Sequence, residues 1–524
     1  MRKFGSSSSR DAPFGHESRR PRGGLRARPR GHRRAALRGC RRSSAAFAIR
    51  ADWIIGLWTG ADRSKSVANR ASGWSAYRCH PGIPGRSVSA DDRPDPPSPF
   101  HEDSVTPAYP PPRKARAAVA VLSALGFFVS TDLVLTSLLI EPMKAELGLS
   151  DIQIGILQGT AFGLSFGICS IPLGRLIDRA NRVRMLTVGL LVWMSSLTAT
   201  ALAESMTTLV LARVALGGVA ALLIPAAASV IADLYPPERR AVATSMFGVG
   251  QAFGQGFGIL AGGFALDALG RYGPLLGLSP WRAIYVAAAA LGLVLLFSLL
   301  IVSEPARQER ETEARSPRQA ASESWRYRRF LAPLLVAMLF SAIAMQAAQT
   351  WAPPVLMRAY GLTPGEFAGW LGPVMIAGGI FGALGGGQFA ELGRRRGGRA
   401  GVVFPAAIAS AAIAPLALFA LAPTTAFFAI MLGLILLFGA AVAIIGIVAI
   451  TLNIPNEIRG LAIGASVFMT AVFGVATGPA AIALASDWLG GEAMLGTAIA
   501  LVGAPCALLA ALFFVFAMRG AQEH

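Results

Sequence analysis

Twelve apolar stretches, each close to the length that a helix needs to cross a lipid bilayer, occupy the chain from about residue 116 to residue 517. A spanning helix requires roughly 20 apolar residues, and residues 402–422 form such a run without one charged side chain. A water-soluble domain could not bury so much apolar surface on so many separate segments. The sequence therefore predicts a polytopic membrane protein built from helices, which satisfy their own backbone hydrogen bonds in lipid.

The apolar stretches form two groups of six, separated by a charged segment at 303–329. The predicted helices cover residues 116–140, 152–172, 184–203, 206–232, 241–264, 283–303, 330–351, 367–387, 401–421, 425–449, 461–485 and 494–517. We predict a basic N-terminal extension (1–112), a first six-helix bundle (113–303), a cytoplasmic linker (304–329), a second six-helix bundle (330–518) and a cytoplasmic tail (519–524).

Positive side chains are concentrated on one side of the predicted membrane. The loops that follow the even-numbered helices are rich in arginine, whereas the basic residues of the opposite loops are Lys144, Arg271, Arg282 and Arg358. Loops rich in lysine and arginine stay on the cytoplasmic side. This bias predicts that both termini are cytoplasmic and that the protein lies in the cell membrane (inner or plasma membrane).

The two halves of the chain carry matching loop motifs. GRLIDRANR at 174–182 corresponds to GQFAELGRR at 387–395, and PPERR at 236–240 corresponds to PNEIR at 455–459. The motifs recur in the same order and at nearly the same offset. This pattern predicts an all-α membrane protein of two duplicated six-helix bundles, related by a pseudo-two-fold axis along the membrane normal, with a site at their interface.

Residues 1–110 are rich in Arg, Pro, Gly and Ser and carry most of the net charge of +19. This composition predicts a disordered tail, or a stretch translated from a wrongly placed start. An arm that binds nucleic acid or anionic lipid is the functional alternative. Because no aromatic residues alternate with the arginines of 19–34, we expect no nucleic-acid partner. A chain that begins near Val105 is expected to keep its activity.

Cysteine, histidine and glycine usage excludes several kinds of chemistry. The four cysteines are scattered, and none of the five histidines lies in a predicted helix. Zinc sites, haem ligation and a Ser-His-Asp triad are therefore not expected, and no glycine run continues into a phosphate-binding Lys-Ser/Thr. We predict a protein without metal, cofactor or enzymatic activity, since the predicted helices also lack paired carboxylates.

Several of these stretches resemble a known family. Residues 174–184 resemble the loop 2–3 signature of the major facilitator superfamily, and Arg213 with Gly217 resembles its helix-4 signature. More narrowly, the chain is similar to the spinster-like branch in four stretches: 130–157, 171–182, 224–240 and 454–464. This resemblance implies the superfamily fold and a cation-coupled transporter of amphipathic or lipid-like molecules. Leu133 and Ala220 stand where that branch usually has Arg and Glu.

Two charged residues lie inside predicted helices of the first bundle. A carboxylate as deep as Asp132 is costly unless it faces a cavity or a partner. Burial and a nearby cation act on its proton in opposite directions, so we interpret Asp132 as the proton-coupling residue; a structural bond to Thr136 is the alternative. We interpret Arg213 as a ligand for a substrate anion or for Asp132, with snorkelling to the headgroups as the alternative.

Few other polar side chains interrupt the apolar helices. Besides Arg213, the predicted substrate-binding residues are Gln158, Gln251, Gln255, Gln346, Gln349 and Trp351. Bonding between helices is an equally good explanation for each glutamine. A cavity with so little charge favours a largely apolar substrate with one polar head over a sugar. Glycines at every fourth position of 250–262 and 378–386 predict ridges for close helix packing.

The matching loops also predict a conformational latch. Its residues are Gly174, Asp178, Arg179, Arg182, Gly387 and Glu391. The glycines would allow tight helix contact, the acids would accept bonds at a neighbouring helix N-terminus, and the arginines would pair with acids at adjacent helix ends. Loops that only set the topology are the alternative.

Together these patterns predict a proton-coupled secondary transporter that works by alternating access. We expect a monomer in the lipid bilayer whose partners are protons and a small amphipathic or lipid-like solute. A sensor or assembly protein on the same fold, which transports nothing, is the second hypothesis, because Leu133 and Ala220 depart from the branch pattern. Uptake into proteoliposomes distinguishes the two.

Overall fold

The structure is a computed structural model that describes residues 109–274, 277–307 and 317–522. Nearly all of the predicted N-terminal extension and part of the linker lie outside these residues. Twelve helices of the described chain are long and apolar enough to cross a membrane. The prediction of an all-α protein with two bundles of six helices is confirmed.

The first bundle consists of α1 to α6. They are α1 (Pro112–Leu138), α2 (Asp151–Arg179), α3 (Arg182–Ala201), α4 (Met206–Leu234), α5 (Glu238–Tyr272) and α6 (Pro280–Leu299). The second bundle consists of α7 to α12. They are α7 (Arg328–Arg358), α8 (Pro364–Gly401), α9 (Phe404–Leu421), α10 (Thr425–Asn453), α11 (Asn456–Leu489) and α12 (Glu492–Gln522). Two shorter helices, Ile140–Leu147 and Pro317–Arg326, lie between α1 and α2 and before α7.

Several helices extend well beyond the apolar stretches that predicted them. The helix predicted at 367–387 covers Pro364–Gly401, and the one predicted at 152–172 covers Asp151–Arg179. The segments predicted as loops at 174–179 and 387–395 are therefore helical. Backbone hydrogen bonding continues where the side chains become polar, because arginine and glutamate are good helix formers.

Glycine ridges set the closest contacts inside each bundle. A Cβ placed on Gly250 would lie 2.5 Å from the Ser123 carbonyl oxygen, and α5 packs against α1 along this ridge. On α8, a Cβ on Gly382 would lie 2.3 Å from the Leu437 carbonyl oxygen of α10. Both predicted ridges are thus packing surfaces. The internal repeat is visible in the packing, since the pairs α2–α4 and α3–α6 match α8–α10 and α9–α12.

The bundles meet along α2 with α11 and along α5 with α8. We call the side with the α2–α3 connection and the chain termini the Arg-rich side, and the other the Arg-poor side. In the Arg-poor half, α2 and α11 touch by backbone: a Cβ on Gly159 would lie 2.9 Å from the Ala476 carbonyl oxygen. Toward the Arg-rich side, a Cβ on Gly174, Gly387 or Gly460 would meet nothing within 4 Å. The interface helices therefore separate toward the Arg-rich side.

Candidate functional site

A cavity of about 150 Å³ lies between the two bundles. Five of the predicted binding residues line it: Arg213, Gln158, Gln255, Gln346 and Gln349. The first three belong to the first bundle and the last two to the second. Among the described residues that line the cavity, Arg213 is the one charged side chain, and the apolar part includes Leu133 and Phe162.

The other two predicted binding residues lie away from this cavity. Trp351 is fully buried, and its indole N–H donates to the Pro479 carbonyl oxygen at 3.2 Å, which ties α7 to α11 within one bundle. Gln251 packs against α1, where its Cγ lies 3.1 Å from the position of a Cβ on Gly126. Gln251 and Gln255 share a face of α5 but lie one helical turn apart. Of the two, Gln255 lines the cavity and Gln251 does not.

Two π-helical turns border the cavity, one in each bundle. Residues Ile156–Ala161 of α2 carry Gln158, and residues Thr470–Val475 of α11 end at the cavity. The Thr160 hydroxyl donates to the Ala476 carbonyl oxygen at 3.0 Å and links the two turns. π-Turns are rare and occur frequently at functional sites, and no local pattern in this sequence predicted them.

Asp132 is 2% exposed on α1, and its carboxylate oxygens have no hydrogen-bond partner among the described residues. Thr136 bonds to the Asp132 backbone carbonyl oxygen at 3.1 Å and not to the carboxylate. The alternative of a structural bond between the two side chains is therefore wrong. The neighbouring groups that interact with the carboxylate are Arg213 of α4 and Trp193 of α3.

Arg213 is 2% exposed, so the alternative of snorkelling to the headgroups is also wrong. One terminal nitrogen, Nη2, donates to the Thr136 hydroxyl and to the Tyr285 hydroxyl, the latter at 3.0 Å. The Tyr285 and Thr136 oxygens are 2.9 Å apart. Sequence reasoning missed Tyr285 of α6, although a tyrosine within an apolar helix signals a hydroxyl that needs a buried partner.

Arg182 is fully buried and fastens three elements together on the Arg-rich side. It contacts Asp233 at the end of α4 at 2.5 Å and Glu304 after α6 at 2.8 Å. It also donates to the Ser229 hydroxyl at 2.9 Å. Asp233 and Glu304 are acids near adjacent helix ends, which is the kind of partner that the sequence predicted for the loop arginines.

The remaining latch residues form no hydrogen bond or ion pair with the opposite bundle in the part of the chain that the structure describes. Asp178 and Arg179 lie exposed at the end of α2, and Arg307 donates to the backbone carbonyl of Asp178 rather than to its carboxylate. Glu391 pairs within its own helix, with Arg394 at 2.7 Å and with Arg395 at 2.8 Å. Among the described residues, neither Gly174 nor Gly387 makes the tight helix contact that the sequence predicted.

Five charged residues on the Arg-poor side connect the bundles, and we call them the interbundle charge cluster. They are Glu141, Lys144 and Asp151 of the first bundle and Arg358 and Glu492 of the second. Arg358 contacts Glu141 at 2.7 Å and Asp151 at 2.6 Å, and Lys144 contacts Glu492 at 2.5 Å. The sequence placed Lys144 and Arg358 on this side but gave no sign that the loops meet.

A second ion pair on the Arg-poor side stays within the first bundle. Arg282 Nε donates to Glu146 at 2.7 Å, and the Trp281 indole N–H donates to the same carboxylate at 2.6 Å. Burial raises the pKa of Glu146, but the interactions with Ser279, Arg282 and Trp281 outweigh it, so the pKa lies below its usual value. This pair anchors the α1–α2 connection to α6.

Comparison with known proteins agrees with this architecture. The family model of the Major Facilitator Superfamily matches residues 119–434, and the chain belongs to that family. An MFS-type efflux pump of Mycolicibacterium smegmatis is 27% identical over 77% of this chain and 92% of its own length. Protein spinster homolog 1 of Bos taurus is 27% identical over 53% of this chain and 52% of its own.

Among solved structures, a bacterial homolog of the human lysosomal transporter Spinster, in an inward-facing and unoccupied conformation, has a similar fold. The TM-score is 0.63 at 21% sequence identity, covering 78% of this chain and 97% of that one. The protein is thus a multi-pass membrane protein with the superfamily fold, and its relatives are membrane transporters. The resemblance to the superfamily is confirmed, and spinster proteins are among both the sequence and the structural matches.

Proposed function

We propose that this protein is a proton-coupled secondary transporter that moves a small amphipathic or lipid-like solute by alternating access. The observation that carries the proposal is the buried Asp132 beside Arg213, which also lines the cavity between the bundles. A charge that can be neutralised by a proton lies next to a cation that can hold a substrate head. Protonation of Asp132 would therefore change how strongly Arg213 is held and how the two bundles pack.

The cavity supports a substrate with one polar head. Four glutamines and one arginine supply hydrogen-bond donors, while Leu133, Phe162 and Val475 supply apolar surface. Such a lining suits an apolar body that carries a single anionic or polar group. The volume of about 150 Å³ accommodates the head in this conformation, and an apolar tail would extend between the separated interface helices.

We propose that the Arg-rich side is cytoplasmic, in agreement with the positive-inside rule. The conformation described above is then inward-facing, since the bundles touch on the Arg-poor side and separate on the Arg-rich side. In this proposal residues 113–303 and 330–518 move as the two halves of a monomer in the cell membrane. Gln158, Gln255, Gln346 and Gln349 are then substrate-binding residues.

Uptake into proteoliposomes tests the proposal. A screen of lipids and amphipathic drugs, each with and without an imposed pH gradient, should find solutes that accumulate only with the gradient. Asp132→Asn should bind the same solutes but no longer concentrate them. The matched control is Asp487→Asn, which changes an exposed acid at the end of α11. If Asp132→Asn still uses the gradient, Asp132 does not carry the coupled proton.

The departures from the branch pattern favour one second candidate, a sensor or assembly protein that transports nothing. Ala220 is 1% exposed in α4, so an apolar methyl group stands at the position where the branch usually has an acid. A protein that binds solutes in the screen but moves none across the membrane, with or without a gradient, would support this candidate and refute the transporter.

A further inference from the structure

The bonds between Arg213, Thr136 and Tyr285 can have one set of directions only. A guanidinium group has no acceptor atom, so Arg213 Nη2 donates to both hydroxyl oxygens. The Thr136 hydroxyl donates to the Asp132 backbone carbonyl at 3.1 Å, so its oxygen must accept from Tyr285 at 2.9 Å. The hydroxyl protons of Thr136 and Tyr285 are therefore both already used in hydrogen bonds.

This pattern leaves the Asp132 carboxylate without a hydrogen bond from either hydroxyl group or from Arg213 Nη2. Neither hydroxyl proton can reach it, and Nη2 of Arg213 is occupied by the two hydroxyl groups. Three nearby polar groups have no hydrogen-bond partner among the described residues: both Asp132 oxygens, Arg213 Nε and the Trp193 indole N–H. A buried carboxylate without donors is expensive when charged and much less so when neutral.

We propose that Thr136 and Tyr285 are positioning residues that hold Arg213 away from Asp132 and so set the pH at which Asp132 takes up its proton. This inference rests on the proposed function, in which Asp132 carries the coupled proton. The charged or titratable groups that interact with Asp132 are Arg213 of α4 and Tyr285 of α6. The helices α5 and α7 also pack against α1, and their described residues add no such group.

Loss of either hydroxyl group should free Arg213 to approach Asp132. In Tyr285→Phe, Arg213 loses one of its two acceptors, and in Thr136→Val it loses the other. The released guanidinium can then pair directly with the carboxylate, and an opposite charge within hydrogen-bond reach favours the charged form. The pH profile of the Asp132 proton should therefore move toward acid by about one pH unit, a tenfold change in proton concentration.

Infrared difference spectroscopy on the purified full-length protein in lipid vesicles measures this directly. The carboxylic acid band of Asp132 is identified by its loss in Asp132→Asn, and its pH midpoint is read in each variant without any substrate. Thr136→Ser keeps the hydroxyl and should retain the wild-type midpoint. The matched control is Tyr360→Phe, which removes a tyrosine hydroxyl that donates to the Ala422 carbonyl oxygen at 2.6 Å, outside this group.

The outcomes separate the two proposals. If the band titrates in the wild type but its midpoint is unchanged in folded Tyr285→Phe and Thr136→Val, the positioning role is refuted while the proton role of Asp132 stands. If no titrating band is lost in Asp132→Asn, both proposals fail. An acid shift in Tyr285→Phe and Thr136→Val, absent from Thr136→Ser and Tyr360→Phe, is the expected result.

Discussion

Arg213 contacts both the buried hydroxyl groups near Asp132 and the cavity between the bundles. One terminal nitrogen is bound to Thr136 and Tyr285, while the side chain as a whole lines the cavity between the bundles. Removing a charge from water costs several kcal/mol unless partners offset it, and here the partners are hydroxyl groups rather than the nearby carboxylate. A substrate anion at Arg213 would offset the rest of that cost. The burial of Arg213 therefore favours binding of an anion in the cavity.

At the same scale, the glutamines that line the cavity should differ from the one that does not. Replacing Gln349 by Leu removes a donor from the cavity wall, and one hydrogen bond is worth about 1 kcal/mol. The apparent affinity for the transported solute should fall about fivefold. The control, Gln251→Leu, changes a glutamine that packs against α1. Equal losses of affinity in the two variants, measured as KM for uptake, would contradict this assignment.

Sequence alone identified most of this site because polar residues are rare in apolar helices. Asp132, Arg213 and four of the glutamines stood out for that reason. The depth of Gln251 relative to Gln255, and the position of Trp351, depend on how each helix is rotated and packed, which no local pattern encodes. Tyr285 was missed because a tyrosine is apolar enough to pass as an ordinary core residue.

The elements that join the bundles differ between the two sides of the membrane. On the Arg-poor side, glycines let α2 and α11 touch by backbone, and the interbundle charge cluster holds the helix ends together. On the Arg-rich side, the carboxylates of Asp178 and Glu391 have no partner among the described residues of the other bundle. A transporter that alternates must exchange one set of contacts for the other, so both sets should control the balance between states.

Arg358→Gln should weaken the closed Arg-poor side. Arg358 contacts two acids of the first bundle, and its loss leaves Glu141 without this ion pair and Asp151 with Lys144 of its own bundle as its contact at 2.6 Å. Ion pairs that are partly exposed are worth about 1 kcal/mol, so the population open on the Arg-poor side should rise about fivefold. Labelling of single cysteines on the two sides measures this.

The control for that experiment is Arg282→Gln. It removes an ion pair on the same side of the membrane, but the pair with Glu146 lies within the first bundle. Similar labelling changes in the two variants would mean that loss of charge on this side lowers the stability of the protein in general. The interbundle charge cluster would then not control the balance between the two states.

The latch on the Arg-rich side predicts the opposite change. Among the described residues no side chain pairs with the Asp178 carboxylate, so its proposed bonds to a helix N-terminus and to Arg partners would form only when that side closes. Asp178→Asn should therefore increase cysteine labelling from the Arg-rich side. Glu391→Gln should have a smaller effect, because Leu392 follows it where Arg179 follows Asp178. An unchanged labelling pattern in Asp178→Asn would mean that this segment only sets topology.

Helix ends and contacts between elements were the least predictable part of the fold. The apolar stretches predicted the number and order of the helices, but α2 continues through charged residues to Arg179, and α8 continues through charged residues to a kink at Gly397 and Gly398. The latch segments are helical for the same reason. The interbundle charge cluster depends on contacts between the α1–α2 connection and the ends of α7 and α12 that only the folded chain shows.

At the scale of the whole molecule, the duplicated halves explain why one cavity serves both sides. Gln158 and Gln255 come from the first bundle and Gln346 and Gln349 from the second, so a solute between them contacts both halves. If the halves rock as units, the cavity opens to one side as it closes to the other.

Distances between spin labels across the bundles test this central claim most directly. One pair, Glu204→Cys with Ala359→Cys, reports on the Arg-poor side, and a second, Arg175→Cys with Arg396→Cys, reports on the Arg-rich side; all four positions are exposed. In a background without native cysteines, a change of pH or the addition of a transported solute should lengthen one distance and shorten the other. Distances that stay fixed, or that change in the same direction, would contradict alternating access.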